Sequence, residues 1–331
     1  MPIFNRICML FGLCASLSIL VGCGGSQISL PVGATASSGL RSTQSPQQRS
    51  WMAPQLQNTD LLYVSDESGS VYVYSYPKGQ LVGTLTGFSN PAGACSDKSG
   101  NVFITDTPAT EIFKYAHGGK HPIESIVDSG GYPEGCAVDA TTGDLAVTNY
   151  EAIVRKGPGN ITVFSNGTHT ATTYSDPAVN AFLFCGYDGA GNLYADGINA
   201  GTTESEFVKL ARGSTQLSNI MLNKRVAFPG GVQWRDGAMI TEDVSTDRVY
   251  RVAISGSKGT ITRTTILKRD RSNLLAQFWI EGHTIILPDG KTSRRANRVG
   301  FWPYSDGGLP TKILGAPGSA ELLGVTVSLA K

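Results

Sequence analysis

The sequence predicts an all-β fold, and three observations lead to that prediction. Glycine accounts for 40 of the 331 residues and only 16% of the residues are charged, against about 25% in a typical soluble domain. The hydrophobic fraction of 40% excludes intrinsic disorder for most of the chain. A unit of short apolar strands and tight polar turns recurs every 40 to 47 residues, which is typical of a four-stranded propeller blade. Together they predict a six-bladed β-propeller with four-stranded blades.

Residues 1–22 are predicted to be a lipoprotein signal peptide. Arg6 is followed by an apolar stretch, residues 7–21, which is too short for a transmembrane helix. The stretch ends Leu20-Val21-Gly22-Cys23, which resembles the lipobox of bacterial lipoproteins. That resemblance implies cleavage before Cys23 and lipidation of Cys23. The alternative is an ordinary signal peptide whose cleavage site happens to precede a cysteine.

The same resemblance implies where the protein is located. Each buried CH₂ of an acyl chain contributes about 0.8 kcal/mol, so the several chains of a lipoprotein hold it firmly in a membrane. Gly24 follows Cys23, and by resemblance this indicates the outer membrane of a two-membrane bacterium. We therefore expect a lipid-anchored protein of the bacterial cell envelope, on the periplasmic or cell-surface side.

Residues 23–58 are predicted to form the lipidated Cys23 and a flexible tether. The segment is rich in Ser, Gln, Gly and Pro and has no sustained apolar period. A flexible chain of roughly 35 residues reaches about 30 Å. Residues 51–54, Trp-Met-Ala-Pro, interrupt the polar run and can pack on the folded domain. The propeller is assigned to residues 59–331.

Six copies of the repeat are predicted from Asp60 onward. The clearest run from Pro91 to Asp106, Pro133 to Asn149 and Cys185 to Asp196. Each contains Asp followed by Gly-Asn or Gly-Asp, where Asp accepts local backbone hydrogen bonds and Gly supplies a positive φ for a tight hairpin. The six second strands end at Asp66, Asp106, Asn149, Asp196, Glu242 and Asp289.

The two ends of the chain are predicted to close the ring. Residues 324–328 have the pattern of a first strand with no partner after it, and residues 61–66 that of a second strand with none before it. Pairing the two within one blade removes the open edge of an incomplete blade.

The repeats resemble those of NHL-repeat six-bladed propellers, which read roughly Pro-x-Gly-(Ile/Val)-Ala-(Val/Leu)-Asp-x-x-Gly-Asn-(Leu/Ile)-Tyr-Val-x-Asp. Blades two to four match this pattern well, whereas Arg235 and Glu281 stand near the expected Asp in blades five and six. The resemblance implies a propeller that binds partners. A more distant similarity to gluconolactonase-like propellers implies a metal-dependent hydrolase, and the fold alone does not choose between them.

The six residues that end the second strands are predicted to ring one mouth of the propeller, with Glu134 nearby. Converging oxygen ligands could hold Ca²⁺ or another divalent cation, and the gluconolactonase resemblance implies Glu134, Asn149 and Asp196 as the ligands. Cys136 replaces the Pro of that family's Glu-Gly-Pro motif. The favoured alternative is that the six residues cap the turn into the third strand. We therefore assign no catalytic residue, metal or cofactor.

Cysteine and histidine offer few functional signals. Cys95, Cys136 and Cys185 are expected to be small buried hydrophobes between blades, and no CxxC pair is present. Because side chains alternate along a strand, Cys95 and Cys136 point to opposite blade faces and could form a disulfide across one blade interface in an oxidising compartment. The histidines lie in separate predicted loops, at His117, His121, His169 and His283.

The charge pattern disfavours nucleic acid as a partner, because 27 basic residues face 26 acidic ones. Basic residues nevertheless concentrate between positions 260 and 300: Arg263, Lys268, Arg269, Arg271, Lys291, Arg294, Arg295 and Arg298. This region predicts either a patch for anionic glycans or lipid headgroups, or solvated loops.

The sequence favours a monomeric, non-enzymatic binding or scaffolding module with a protein or glycan partner. A divalent-metal-dependent, lactonase-like hydrolase at the propeller mouth is the alternative.

Overall fold

The computed structural model describes residues 49–152, 157–269, 276–289, 297–316 and 320–331. The predicted signal peptide, the predicted lipidation site Cys23 and residues 24–48 of the predicted tether lie outside the described residues. So do four basic residues of the 260–300 region, Arg271, Lys291, Arg294 and Arg295. Within the described part of the chain, no helix is long and apolar enough to span a membrane.

Strands make up nearly all of the regular structure, with one short 3-10 turn at Ser165–Gly167. In chain order the strands are β1 (Trp51–Met52), β2 (Leu61–Asp66), β3 (Ser70–Ser75), β4 (Leu81–Thr86), β5 (Pro91–Ser96), β6 (Val102–Asp106), β7 (Glu111–Tyr115), β8 (Pro122–Val127), β9 (Pro133–Val138), β10 (Leu145–Ala152), β11 (Gly157–Phe164), β12 (Ala171–Tyr174), β13 (Val179–Tyr187), β14 (Leu193–Asn199), β15 (Ser205–Leu210), β16 (Leu217–Asn219), β17 (Met221–Leu222), β18 (Pro229–Arg235), β19 (Ala238–Asp243), β20 (Arg248–Ser255), β21 (Lys258–Ile266), β22 (Trp279–Glu281), β23 (Thr284–Asp289), β24 (Arg298–Pro303), β25 (Lys312–Gly315) and β26 (Leu322–Ser328).

These strands form six sheets, each of which is one blade, and this confirms the predicted six-bladed propeller. Blades two, three, four and six have four strands each, β5–β8, β9–β12, β13–β16 and β22–β25. Neighbouring blades contact one another through their first strands, β26, β5, β9, β13, β18 and β22. The first strands are therefore innermost and line the axis of the ring.

Blade one closes the ring as predicted. The C-terminal strand β26 pairs antiparallel with β2, with Leu61 opposite Ser328 and Val64 opposite Val325. The C-terminus thus supplies the inner strand of a blade whose outer strands come from the N-terminal part of the propeller. This pairing removes one open sheet edge.

Two blades carry an extra short strand at the outer edge. In blade one, β1 pairs with β4, with Trp51 opposite Thr84, and Leu56 is buried in the adjoining core. The end of the segment assigned to the tether thus packs on the propeller. In blade five, β17 pairs in parallel with β21.

The core lies between blades, which explains why second strands are buried along their whole length. Every residue of β2 and of β19 is buried, because both faces of an inner strand pack against neighbouring blades. One core cluster, for example, joins Leu62 of blade one to Ile286 of blade six. Such strands have near-continuous apolar sequences instead of a strict alternation.

Asp-capped turns join the first and second strands of blades two to four. In blade two, Asp97 Oδ1 accepts hydrogen bonds from the backbone N–H of Ser99 at 2.7 Å and of Asn101 at 2.9 Å. Gly100 in this turn has a φ of +83°, a conformation that glycine adopts without steric cost. Asp139 and Asp188 accept the corresponding bonds in the next two blades.

A disulfide joins Cys95 of β5 to Cys136 of β9, with 5.7 Å between the Cα atoms. The expectation that Cys95 and Cys136 are separate buried thiols is therefore corrected. The alternative, a disulfide across one blade interface, is the arrangement found. It arises because the first strands of blades two and three are neighbours at the axis. Cys185 is a buried free thiol, and burial raises its pKa.

Candidate functional site

Most of the predicted acidic ring occupies one equivalent place in the blades. Asp106 lies opposite Pro91, Asn149 opposite Pro133 and Asp66 opposite Leu322. In each case the partner is the first residue of the innermost strand. Asp289 likewise ends its second strand.

Asp196 and Glu242 do not belong to this ring, which corrects the sequence prediction. In blade five it is Asp243 that lies opposite the first residue of the inner strand, Pro229, whereas Glu242 lies opposite Gly230. In blade four the inner strand begins earlier, at Val179. Phe182 lies three residues before Cys185, as Pro133 does before Cys136, and the residue opposite Phe182 is Gly197. Asp196 and Glu242 each precede that place by one residue, and one residue along a strand turns the side chain to the opposite face.

The sequence held a signal for this difference. Asp106 lies five residues after Asn101 of its Gly-Asn turn, but Asp196 lies only four after Asn192. Because the side-chain period of a strand is two, a difference of one residue decides the face.

The ring residues mainly fix the segment that leads into the first strand of their own blade. Asp106 accepts hydrogen bonds from the backbone N–H of Ser89 at 2.7 Å and of Asn90 at 2.8 Å. Asp66 accepts one from Ala320 N–H at 3.0 Å and one from Ser68 N–H at 3.1 Å. Capping of the turn into the third strand, the favoured alternative, holds for Asp66 and for Asp243, which accepts a hydrogen bond from Ser245 N–H at 3.1 Å. Asp106 instead holds the segment before its first strand, so the ring as a whole does not share this capping role.

Asn149, another predicted ligand, is also held by side-chain contacts. The Asn149 side-chain nitrogen lies 3.1 Å from Asp128 Oδ2 and 2.9 Å from Asn160 Oδ1. Glu134 is half-buried, and its backbone carbonyl accepts a hydrogen bond from Thr105. Among the residues that the structure describes, no three His, Cys, Asp or Glu side chains are grouped so that they could hold a metal ion.

Asp196 occupies a place that threonine holds in blades two and three. There, Thr105 Oγ1 donates to the Glu134 carbonyl at 2.8 Å and Thr148 Oγ1 to the Leu183 carbonyl at 2.7 Å, each on the next blade. Asp196 Oδ1 accepts from Phe184 N–H at 2.9 Å, while Oδ2 is buried without a hydrogen-bond partner in the described part of the chain. Burial raises the pKa of Asp196 to about 8, so the carboxyl is protonated at neutral pH.

Glu242 holds the same place in blade five and faces a buried arginine. Arg269 Nη2 lies 2.8 Å from Glu242 Oε1, and Arg269 Nε donates to Asp247 Oδ1 at 2.6 Å. Burial raises the pKa of Glu242 to about 7, against the opposing effect of the Arg269 guanidinium. Arg269 therefore belongs to a buried ion pair and not to a surface patch.

A solvent-open groove lies between blades five and six, at the end of the blades opposite the acidic ring. Asp236 and His283 lie there in the turns that join first and second strands. The groove has a volume of about 480 Å³, within the range of small-molecule sites. We call it the blade five–six groove; its lining includes Asp236, Arg251, Thr262, Arg263, His283 and Tyr304.

Arg251 in the groove lining and Arg235 beside it are held by contacts with the backbone and an aromatic ring. Arg251 Nη2 donates to the Asp236 backbone carbonyl at 2.6 Å. The Arg235 guanidinium lies over the Tyr304 ring, 5.9 Å from its centroid, and Arg235 Nε is 3.4 Å from Asp236 Oδ2. Burial raises the pKa of Tyr304 although the nearby arginines oppose the shift, so its phenol stays neutral.

The groove carries an excess of positive charge. Arg235, Arg251 and Arg263 are all close enough to Tyr304 to lower its pKa, and Asp236 is the single acid that raises it. Of the described residues, no acidic side chain forms an ion pair with Arg251 or Arg263. Guanidinium groups match carboxylates and phosphates in geometry as well as charge.

Some residues of this groove stand out in the sequence, but the sequence does not indicate that they form one site. Arg263 belonged to the basic region, and Arg235 was noted as a departure from the repeat. Arg251 and Tyr304 were missed. The signal was Arg235 in place of the Asp of the repeat. Where one blade lacks the structural Asp, the residue at that position can take another role.

No protein-family model matches the chain, and no curated protein matches it. Solved structures with a similar fold include a chain from the crystal structure of a nidogen/laminin complex, with a TM-score of 0.64 and 16% identity over 82% of this chain and 99% of that chain. A protein of unknown function from Bacteroides caccae has a TM-score of 0.59 and 11% identity, with the same coverage of 82% and 99%. These similarities show the propeller fold.

Proposed function

We propose that this chain is a lipid-anchored NHL-type propeller of the bacterial cell envelope that binds a ligand or partner without altering it chemically. The apolar leader and the Leu-Val-Gly-Cys23 sequence support export and lipidation. The Cys95–Cys136 disulfide supports an oxidising compartment, because such bonds are rare in the cytosol.

The blade five–six groove is the observation that carries the binding role. It is open to solvent and combines Arg251, which a backbone carbonyl holds in place, with the exposed Arg263. The ring residues Asp66 and Asp106, at the other end of the blades, accept backbone hydrogen bonds. A propeller with a similar fold occurs in a crystallised protein complex, which agrees with a binding role.

The hydrolase alternative requires a metal at the mouth near Glu134, and the contacts there give it little support. Asp196, one of its expected ligands, is fully buried and accepts a hydrogen bond from Phe184 N–H. The Asn149 amide nitrogen is directed at Asp128 and Asn160.

The anchor is tested by the substitution Cys23→Ser in the full chain expressed in a two-membrane bacterium. We expect the wild type to incorporate labelled palmitate and to sediment with the outer membrane, and the variant to lose the label. Cys14→Ser, inside the leader, is the control and should behave as wild type. A Cys23→Ser variant that keeps both the label and the membrane fraction would contradict the anchor.

Binding and hydrolysis are separated by two measurements on the full chain purified in detergent. Thermal unfolding with Ca²⁺, Mg²⁺, Mn²⁺ or Zn²⁺ and after EDTA should give one midpoint. A metal at 100 times its Kd would instead stabilise by about 2.7 kcal/mol. In a screen of envelope saccharides and lactones, a binder should be recovered unchanged by mass spectrometry. Lactone turnover, with a metal shift that Glu134→Gln abolishes, would favour the hydrolase.

A further inference from the structure

We propose that the blade five–six groove binds an anionic saccharide, that is, a sugar carrying a carboxylate or a phosphate. This proposal rests on the proposed function as a binding module and names the ligand class of that site.

Two arginines of the groove, Arg251 and Arg263, indicate an anionic ligand. Arg251 is half-buried and donates one N–H to the Asp236 carbonyl, so its remaining donors are presented in a fixed orientation. Arg263 is exposed on β21 and also lines the groove. Arg251 and Arg263 are register partners on β20 and β21, and neither forms an ion pair with an acidic side chain of the described residues. Two neighbouring guanidinium groups suit a carboxylate or a phosphate in charge and geometry.

The sugar is indicated by the remaining lining. The Thr262 hydroxyl donates to the Arg251 carbonyl at 3.1 Å, and the Ser305 hydroxyl lies 3.2 Å from Asp306 Oδ1, so their oxygens can accept hydrogen bonds from a ligand. With the His283 imidazole in the same lining, they suit a ligand with several hydroxyls. The volume of about 480 Å³ fits a short oligosaccharide.

The test is isothermal titration of the full chain in detergent with four probes: trigalacturonate, glucose 6-phosphate, inorganic phosphate and maltotriose. We expect trigalacturonate or glucose 6-phosphate to bind more tightly than maltotriose and inorganic phosphate. Arg263→Gln and Arg251→Gln should each weaken this binding roughly 10- to 100-fold, the effect of losing one charged hydrogen bond. Arg263 is exposed, so its variant keeps the test valid if Arg251→Gln folds poorly.

Lys98→Gln is the matched control, because Lys98 is the basic residue of the corresponding turn in blade two; its affinity should equal that of the wild type. Binding to none of the probes, or maltotriose binding that the arginine variants leave unchanged, overturns the inference. Arg263-dependent binding to phosphatidylglycerol vesicles without saccharide binding overturns it in favour of a lipid headgroup. The proposed function would fail on different observations, namely turnover of a lactone or an unfolding midpoint that depends on a metal.

Discussion

The turn between the first and second strands is built differently in blade two and in blade five. Blade two closes a longer turn with Asp97, which accepts hydrogen bonds from Ser99 and Asn101. Blade five closes a two-residue turn, Asp236-Gly237, between the paired residues Arg235 and Ala238. Both turn residues have positive φ, at +49° and +75°, as a type I′ hairpin turn requires.

The difference explains how a repeat position becomes available for binding. A type I′ turn needs no side-chain cap. The position that Asp97 occupies in blade two can therefore be occupied by Arg235 in blade five. The Arg235 guanidinium lies over the ring of Tyr304 in the neighbouring blade. Blades two to four thus keep the repeat for stability, whereas blades five and six depart from it where the groove forms.

The largest expected effect concerns the buried ion pair of blade five. Arg269→Ala leaves Glu242 without the cation 2.8 Å from its carboxylate, and breaking a buried pair from one side costs about 3–5 kcal/mol. Urea unfolding should show a loss of this size. Arg263→Ala, an exposed substitution in the same blade, should change stability by less than about 0.5 kcal/mol. Equal losses in the two variants would mean that Arg269 behaves as a surface residue.

The Cys95–Cys136 disulfide joins blades two and three, which match the repeat. Replacing Cys95 and Cys136 together by Ala should lower the free energy of unfolding by about 2–4 kcal/mol, because the bond restricts the unfolded chain. Dithiothreitol should destabilise the wild type by a similar amount and leave the double variant unchanged. A wild type that shows three free thiols before reduction, when unfolded and assayed with a thiol reagent, would contradict the bond.

A pH effect distinguishes blade four from blades two and three. The folded-state pKa of Asp196 is about 8, far above that of an exposed carboxyl, so its contribution to stability is full at low pH and is lost as the pH rises towards and through 8. Asp196→Thr introduces the residue found at Thr148 and removes this titration. At pH 9 the variant should be more stable than the wild type by roughly 1–3 kcal/mol. Parallel stability curves from pH 5 to 9 would show that Asp196 does not titrate in this range.

The smallest effect compares the two turns directly. Asp97→Ala removes two backbone hydrogen bonds and should cost about 1 kcal/mol. Asp236→Asn removes the carboxylate of the blade five turn and should change stability by less than about 0.5 kcal/mol, because a type I′ turn accepts Asn-Gly as well as Asp-Gly. A loss in Asp236→Asn as large as that in Asp97→Ala, measured by thermal unfolding, would remove the distinction between the turns.

The fold could be predicted because its determinants are local and repeated. Asp97, Asp139 and Asp188 identify the hairpins, and the unpaired strands at the two ends of the propeller identify its closure. The acidic ring was predicted with two wrong members, because a one-residue difference in strand length before Asp196 changes the face without changing the composition. The groove escaped prediction because it unites Arg251 of blade five with Tyr304 of blade six, which only the packing of the two blades brings together.

Binding in the blade five–six groove is tested by hydrogen–deuterium exchange of the full chain with and without saturating trigalacturonate. We expect slower exchange in the turns around residues 235–237, 282–284 and 304–306, which belong to the groove. The Asp-capped turns at residues 97–101 and 188–192 should exchange at unchanged rates. Protection at those turns, or at the acidic mouth around residues 89–91 and 131–134, with none in the groove, would contradict binding there.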